Sequence, residues 1–141
     1  MHKLNENLFL KFGEVTSALG GETSDTLTTL TFVNAENYDI IGVAAIASEV
    51  ASGSTVTLKL YEATATDGSG SATITGASDT FLSTNVTDVD TLFAQVRAAD
   101  LSSGYQYVGA KLSTNDTGGT EEAAMIFICG KPRYGQATLS E

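Results

Sequence analysis

The fold is decided by residues 105–133, which read YQYVGAKLSTNDTGGTEEAAMIFICGKPR. Residues 105–112 alternate in character, which predicts a strand with two unlike faces. The polar residues 115–119 tolerate positive backbone φ angles, so they predict the tight loop of a hairpin. The apolar run from Ala123 to Cys129 predicts a second strand, in the centre of a sheet. A short basic segment with Gly and Pro closes this predicted strand pair.

Further strands are predicted on the N-terminal side of this pair. Residues 55–61 alternate most regularly, with Val56, Leu58 and Leu60 predicted to point inward. The stretch from Tyr38 to Ala47 is almost entirely apolar and rich in Ile and Val, so it predicts a central strand with both faces buried. Weaker patterns predict strands at residues 26–33, 72–75 and 79–83.

Residues 85–101 fit two patterns. Val86, Val89 and Val96 approach helical spacing, whereas Leu92, Ala94 and Val96 alternate as in a strand. A strand over residues 91–98 agrees better with the other segments, none of which has a helical pattern. The complete set predicts an all-β fold, an antiparallel β-sandwich resembling a jelly roll, with about eight short strands.

One domain is expected for 141 residues. Residues 1–25 differ from the rest, because a short apolar patch around Leu8, Phe9 and Phe12 lies in a polar segment that ends at a Gly-rich break. We therefore predict an N-terminal arm over residues 1–25, with at most one short strand. Residues 26–141 are predicted to form the single sandwich domain and a short C-terminal tail.

The charge balance is strongly acidic, with 17 Asp and Glu against seven Lys and Arg and a net charge of −10. This balance disfavours binding to nucleic acid or to anionic membranes, and it suits docking on a basic surface. The longest apolar run, from Ile40 to Ala47, is too short to span a bilayer. The polar N-terminus has no secretory pattern, so synthesis in a cytoplasm is expected.

The residues that carry chemistry are scarce. One histidine, His2, and one cysteine, Cys129, cannot supply a catalytic triad or a zinc site, and no phosphate-binding loop is present. We predict no enzyme activity, no cofactor and no metal. The carboxylates at 67, 79, 88 and 90 are read as a solvated acidic surface, with a calcium site as the less favoured alternative.

Two groups of residues are candidates for partner binding. Leu8, Phe9 and Phe12 of the predicted arm either cover the edge of the core or dock on a partner subunit. Tyr105 and Tyr107 either pack within the sandwich or contact a neighbouring subunit, because tyrosine is enriched at protein interfaces.

Several short motifs resemble those of the small head decoration, or cement, proteins of tailed bacteriophages. The matching segments span roughly residues 30–135, and they are YDIIGV at 38–43, VTLKLYEA at 56–63, VRAADL at 96–101, GYQYV at 104–108 and GKPRY at 130–134. The resemblance does not extend to the arm.

The resemblance implies a β-sandwich that binds the outside of an icosahedral shell. The implied partners are the major capsid protein and further copies of this chain, as a dimer or trimer, and the implied location is the capsid exterior. It adds Lys131, Pro132, Arg133 and Tyr134 to the candidate partner-binding residues. The alternative is a tail or fibre module that binds host surface glycans through exposed Tyr and Asp side chains.

Overall fold

The computed structural model describes residues 8–16, 26–28, 32–87, 89–116 and 121–132. Within these ranges nine strands and two 3₁₀ turns form. The strands are β1 (Leu8–Thr16), β2 (Thr26–Thr28), β3 (Val33–Asn34), β4 (Tyr38–Ser48), β5 (Thr55–Ala63), β6 (Ala72–Leu82), β7 (Asp90–Arg97), β8 (Tyr107–Thr114) and β9 (Glu122–Pro132). The 3₁₀ turns span Ala35–Asn37 and Ala98–Asp100.

The strands form two antiparallel sheets. The first sheet has the order β1-β9-β4-β7, and the second has the order β2-β8-β5-β6, with β3 also paired to β8. Thr28 pairs with Lys111 and Val33 with Val108, so β2 and β3 lie along successive parts of the same neighbour. If β2 and β3 are counted as one interrupted strand, eight strands follow the strand order of a jelly roll. The predicted all-β sandwich is therefore confirmed.

The core lies between the sheets and is built mainly by alternation of buried and exposed residues along the strands. Val56, Leu58 and Leu60 of β5 are fully buried, as predicted from the period of two. Ile41 of β4 and Phe127 of β9 are also fully buried and contribute to the same cluster from the first sheet. Each such side chain contributes about 1.5–3 kcal/mol by leaving water, so this cluster is the main source of stability.

Two further strand predictions are confirmed. The ambiguous stretch near residues 91–98 is strand β7, paired along its length with β4. The apolar run from Tyr38 is strand β4, and it lies centrally between β9 and β7. The expectation that both faces of β4 are buried is wrong for the described residues, because Ile46 on its outer face is 43% exposed.

The predicted hairpin near the C-terminus is wrong. β8 belongs to the second sheet and β9 to the first, so the chain between them crosses from one sheet to the other. The physical reason is that β9 is apolar on both faces and pairs on both edges, with β1 and with β4. A hairpin with β8 would take one of those two edges.

The two weak strands predicted at 72–75 and 79–83 are one continuous strand, β6. It contains a large bulge, because Lys59 pairs with Ser78 whereas Tyr61, two residues later, pairs with Thr73. Gly76 lies in the bulge with a φ of 79°, a conformation that favours glycine. The polar, Gly-containing composition that suggested a break between strands thus marks a bulge within one strand.

Part of the segment assigned to the arm is a strand of the first sheet. β1 pairs with β9 from Leu8 opposite Gly130 to Thr16 opposite Ala123, with an irregularity between Phe12 and Glu14. The nine residues of β1 are longer than the one short strand that was expected. Residues 1–7 and 17–25 lie outside the described ranges, and the domain boundary at residue 25 stays a prediction.

Candidate docking site

The antiparallel connections gather specific segments at each end of the sandwich. One end, called the terminal end here, holds the start of β1, the end of β9, the turn at Ala35–Asn37, the β5–β6 loop and the β7–β8 connection at 98–106. The opposite end, called the far end, holds the β4–β5, β6–β7 and β8–β9 connections. Any site built from several loops must lie at one of these two ends.

The terminal end brings together five of the nine predicted partner-binding residues. Leu8 pairs with Gly130, which puts the start of β1 beside Lys131 and Pro132. Tyr105 precedes β8, and Tyr107 begins it, opposite Asn34 and Ala63.

The other four predicted residues are placed differently. Phe9 and Phe12 lie further along β1, where they pair with Cys129 and Ile126. Arg133 and Tyr134 lie outside the described residues.

The β7–β8 connection is fixed by backbone hydrogen bonds. Tyr105 donates its N–H to the Ser102 carbonyl oxygen at 3.1 Å, and Gln106 donates to the Ala63 carbonyl oxygen at 3.2 Å. The Gln106 carbonyl oxygen accepts from the Ala35 N–H at 2.8 Å. Tyr105 and Tyr107 are both partly exposed, so their side chains are held at the surface by an ordered backbone.

A buried carboxylate strengthens this connection. Glu62 of β5 is only 5% exposed, and its Oε2 accepts the N–H of Ser102 at 2.8 Å. A hydrogen bond to a charged group is worth about 1.5–3 kcal/mol, so Glu62 ties the connection firmly to the second sheet. Glu62 lies one residue beyond the alternating pattern of residues 55–61, which therefore did not mark it as a buried carboxylate.

The β5–β6 loop is attached to the same end through Phe32. The Phe32 N–H donates to the Thr66 carbonyl oxygen at 2.8 Å, and the ring lies against both Gly68 and Gly109. A Cβ on Gly109 would come within 2.4 Å of the ring, so glycine is required for this contact. The glycine in β8 that suggested a close approach therefore accommodates an aromatic ring.

Lys131 has an unusual backbone at this end. Its φ is 52°, in the left-handed region, and its side chain is exposed. A residue before proline normally prefers an extended backbone, so this conformation is disfavoured twice over. Strain of this kind concentrates at functional sites, which makes Lys131 a candidate contact residue.

Two of the candidate calcium ligands have structural partners. Asp67 Oδ1 accepts the Ser69 N–H at 2.9 Å, and the hydrogen bonds from the Ser69 side chain and backbone lower the pKa of Asp67. Asp79 Oδ1 accepts the Thr80 N–H at 2.9 Å, and its Oδ2 accepts the Phe93 N–H at 3.0 Å. In the described ranges no three His, Cys, Asp or Glu residues are grouped to hold a metal ion. Nor do these ranges contain a helix with the length and hydrophobicity needed to cross a membrane.

On the outer face of the second sheet, a tyrosine ring contacts a lysine of the same chain. Lys111 Nζ lies 4.6 Å from the centre of the Tyr61 ring, and Lys59 pairs with Lys111 across the strands. The cation–π contact occupies the Tyr61 ring within the chain itself.

Comparison with solved structures gives similarity of fold. A chain in the structure of infectious bursal disease virus, Gx strain, matches with a TM-score of 0.52 and 12% identity, covering 91% of this chain and 33% of that one. PBSX exported protein XepA matches with a TM-score of 0.50 and 14% identity, covering 94% and 42%. A chain of the T=1 particles derived from infectious bursal virus gives 0.50 and 12%, covering 87% and 31%.

The chain thus spans between about a third and two fifths of the length of these solved chains. At such identities the likeness establishes a common β-sandwich fold. No protein-family model matches the sequence, and no curated protein matches it either.

Proposed function

We propose that this chain is a structural virion protein, a decoration or cement protein that binds the outer surface of a tailed-phage capsid. Its partner is the major capsid protein, which it stabilises by binding in many copies. It associates with itself as a dimer or trimer and works without catalysis, cofactor or metal.

The observation that carries this proposal is the convergence at the terminal end of a jelly-roll sandwich. The start of β1, the end of β9 and the Tyr105–Tyr107 segment all lie at that end. They come from three separate parts of the sequence, and each was a candidate for partner binding on sequence grounds. The fold shared with a chain of a virus particle supports the same role.

The physical properties of this end suit docking. Tyr105 and Tyr107 offer rings at the surface on an ordered backbone, so little conformational entropy is lost when they bind. Lys131 adds an exposed cation to a chain whose net charge is −10. Because a shell presents many identical sites to an oligomer, modest contacts combine into firm attachment.

Cosedimentation with heads of the same phage that lack this protein tests the proposal. The purified chain should sediment with the heads at micromolar concentration. Lys131→Glu should weaken binding about two- to fivefold, the range that corresponds to about 0.4–1 kcal/mol for one exposed ion pair.

The matched control is Lys59→Glu, which makes the same charge change on the outer face of the second sheet, away from the terminal end. It should leave binding within about twofold of the wild type, since it acts only through the long-range field that salt screens. Heads that capture no wild-type protein at micromolar concentration would overturn the proposal.

A further inference from the structure

The outer face of the first sheet is apolar, although it points away from the core. Leu10 of β1, Phe93 of β7 and Ile46 of β4 are 54%, 47% and 43% exposed. Ala44 of β4 and Ile126 and Ile128 of β9 are partly exposed on the same face. We call these six residues the apolar face.

The centre of the apolar face is formed by an aromatic ring lying over a glycine. A Cβ on Gly42 would come within 2.8 Å of Phe93 Cζ and 3.0 Å of Phe93 Cε2. Gly42 pairs with Ile128 on one side and with Gln95 on the other. The Phe93 ring therefore reaches from the edge strand β7 over Gly42 of β4, the strand next to β9.

Such a face is unusual for an antiparallel sheet exposed to water. One face of such a sheet normally packs on the core while the other is polar, so that each strand alternates. In β4 and β9 both faces are apolar, which is the pattern of strands covered on both sides. The described part of the chain leaves this second face uncovered, and contiguous exposed apolar surface marks an interaction site.

We propose that the apolar face binds the same face of a second copy of this chain. Packing two sheets face to face is a standard arrangement in which the inner side chains interdigitate about 10 Å apart. Four strands of about eight residues give a footprint of about 500 Å² per copy. Two copies then bury about 1,000 Å², the lower limit for a specific interface.

The charges at the margins of this face favour a copy in the reversed direction. At the terminal end the exposed charged residues beside the first sheet are two cations and three carboxylates: Arg97, Lys131, Glu36, Asp39 and Asp100. At the far end Glu122 begins β9 and Glu49 follows β4, and both are exposed. A two-fold axis across the strands places the two cations of each copy against the acidic far end of the other, as an isologous interface requires, whereas the opposite orientation would bring the two far ends together.

This inference rests on the self-association part of the proposed function and names the surface responsible. It stands independently of shell binding, because it concerns the chain alone in solution. Failure of cosedimentation would leave it intact, and a monomeric chain would leave the terminal-end docking intact.

Sedimentation equilibrium of the full chain tests it. The wild type should have twice the mass of the 14.6 kDa chain at tens of micromolar. The double variant Phe93→Thr/Ile46→Thr should sediment as a monomer, since both changes keep strand-forming residues but remove the exposed apolar contacts. Leu82→Thr is the matched control: Leu82 is 56% exposed on the second sheet, and its loss should leave the dimer unchanged.

A second variant distinguishes loss of the dimer from loss of folding. Gln95 is exposed on the same face, so Gln95→Glu should leave the melting temperature unchanged while weakening the dimer at least tenfold, because two copies would bury like charges. A wild-type chain that is monomeric at 100 µM would overturn the inference. So would an oligomer that persists in both face variants. A monomer whose face variants lose binding to heads would also overturn it, since the face would then be a shell contact.

Discussion

At the scale of single residues, the contact of Phe32 with two glycines shows most clearly how the fold depends on the type of residue at one position. Phe32 is 4% exposed, and its ring lies against Gly68 of the β5–β6 loop and Gly109 of β8. One aromatic residue thereby holds the β5–β6 loop against β8. The absence of a Cβ at residue 109 is what permits this arrangement.

Gly109→Ala should destabilise the protein by about 1–3 kcal/mol, because the new methyl group would displace a buried ring. Gly42→Ala is the matched control, since its methyl group meets the half-exposed Phe93 ring, which can move toward solvent. Urea unfolding monitored by circular dichroism measures both. Equal losses for the two variants would contradict the buried position of Phe32.

Leu58→Ala should cost about 2–5 kcal/mol, the range for a cavity at a fully buried leucine. Leu58 has no exposed surface and lies between the two sheets. Lys59→Ala, one residue further on the opposite face of β5, should change stability by less than about 0.5 kcal/mol. If urea unfolding shows that Leu58→Ala lowers the free energy of unfolding by less than about 1 kcal/mol, Leu58 does not point into the core.

At the scale of elements, Asp79 joins the edges of the two sheets. It lies on β6, the edge of the second sheet, and accepts the N–H of Phe93 on β7, the edge of the first. Asp79→Ala should speed hydrogen exchange at the Phe93 amide and cost about 0.5–1.5 kcal/mol. Asp100→Ala removes the same charge from an exposed turn and serves as the control. Unchanged exchange at Phe93 in Asp79→Ala would contradict this role.

The β5–β6 loop should respond to acid through Asp67. Hydrogen bonds from the side chain and then the backbone of Ser69 hold the pKa of Asp67 below its ordinary value of 3.8. A lowered pKa stabilises the folded loop above pH 3.8, and this contribution is lost as the pH falls through the folded-state pKa. An NMR titration should give a pKa below 3.8 that rises toward it in Ser69→Ala. An unchanged titration in that variant would rule out the Ser69 hydroxyl as the main cause.

Sequence reasoning predicted the elements where period and composition agree. Alternation in β5 identified its buried face, and consistency with the other strands identified β7 despite its near-helical spacing. Which strands pair with each other was harder to predict from the sequence, because a polar loop such as residues 115–119 fits a hairpin and a crossing between sheets equally well. The bulge in β6 was missed because the small residues 76–78, which include Gly76, indicated a break between two strands.

At the scale of the whole molecule, the sequence offered the candidate residues but not their arrangement in space, and their role in binding stays a prediction. The tyrosines and the basic segment after Gly130 are visible in the sequence. That they lie at the same end of the sandwich follows only from the jelly-roll strand order. Glu62 was missed because a carboxylate at the end of a strand normally faces water, and here it accepts a backbone N–H at 2.8 Å.

The apolar face escaped prediction for a related reason. Runs such as Tyr38–Ala47 and Ala123–Cys129 indicate strands covered on both faces, and the sequence does not specify whether the cover belongs to the same chain. The structure places the outer side chains of both runs on one accessible surface of the described chain. A sandwich with an apolar face and a separate loop-bearing end would suit the proposed binding to a shell and to a second copy.

The most direct measurement is a cryo-electron microscopy reconstruction of heads saturated with the purified chain. Our account predicts added sandwich-shaped density on the outer surface, with the start of β1 and the end of β9 directed at the major capsid protein. Heads without added density, or density attached through the far end of the sandwich, would contradict it.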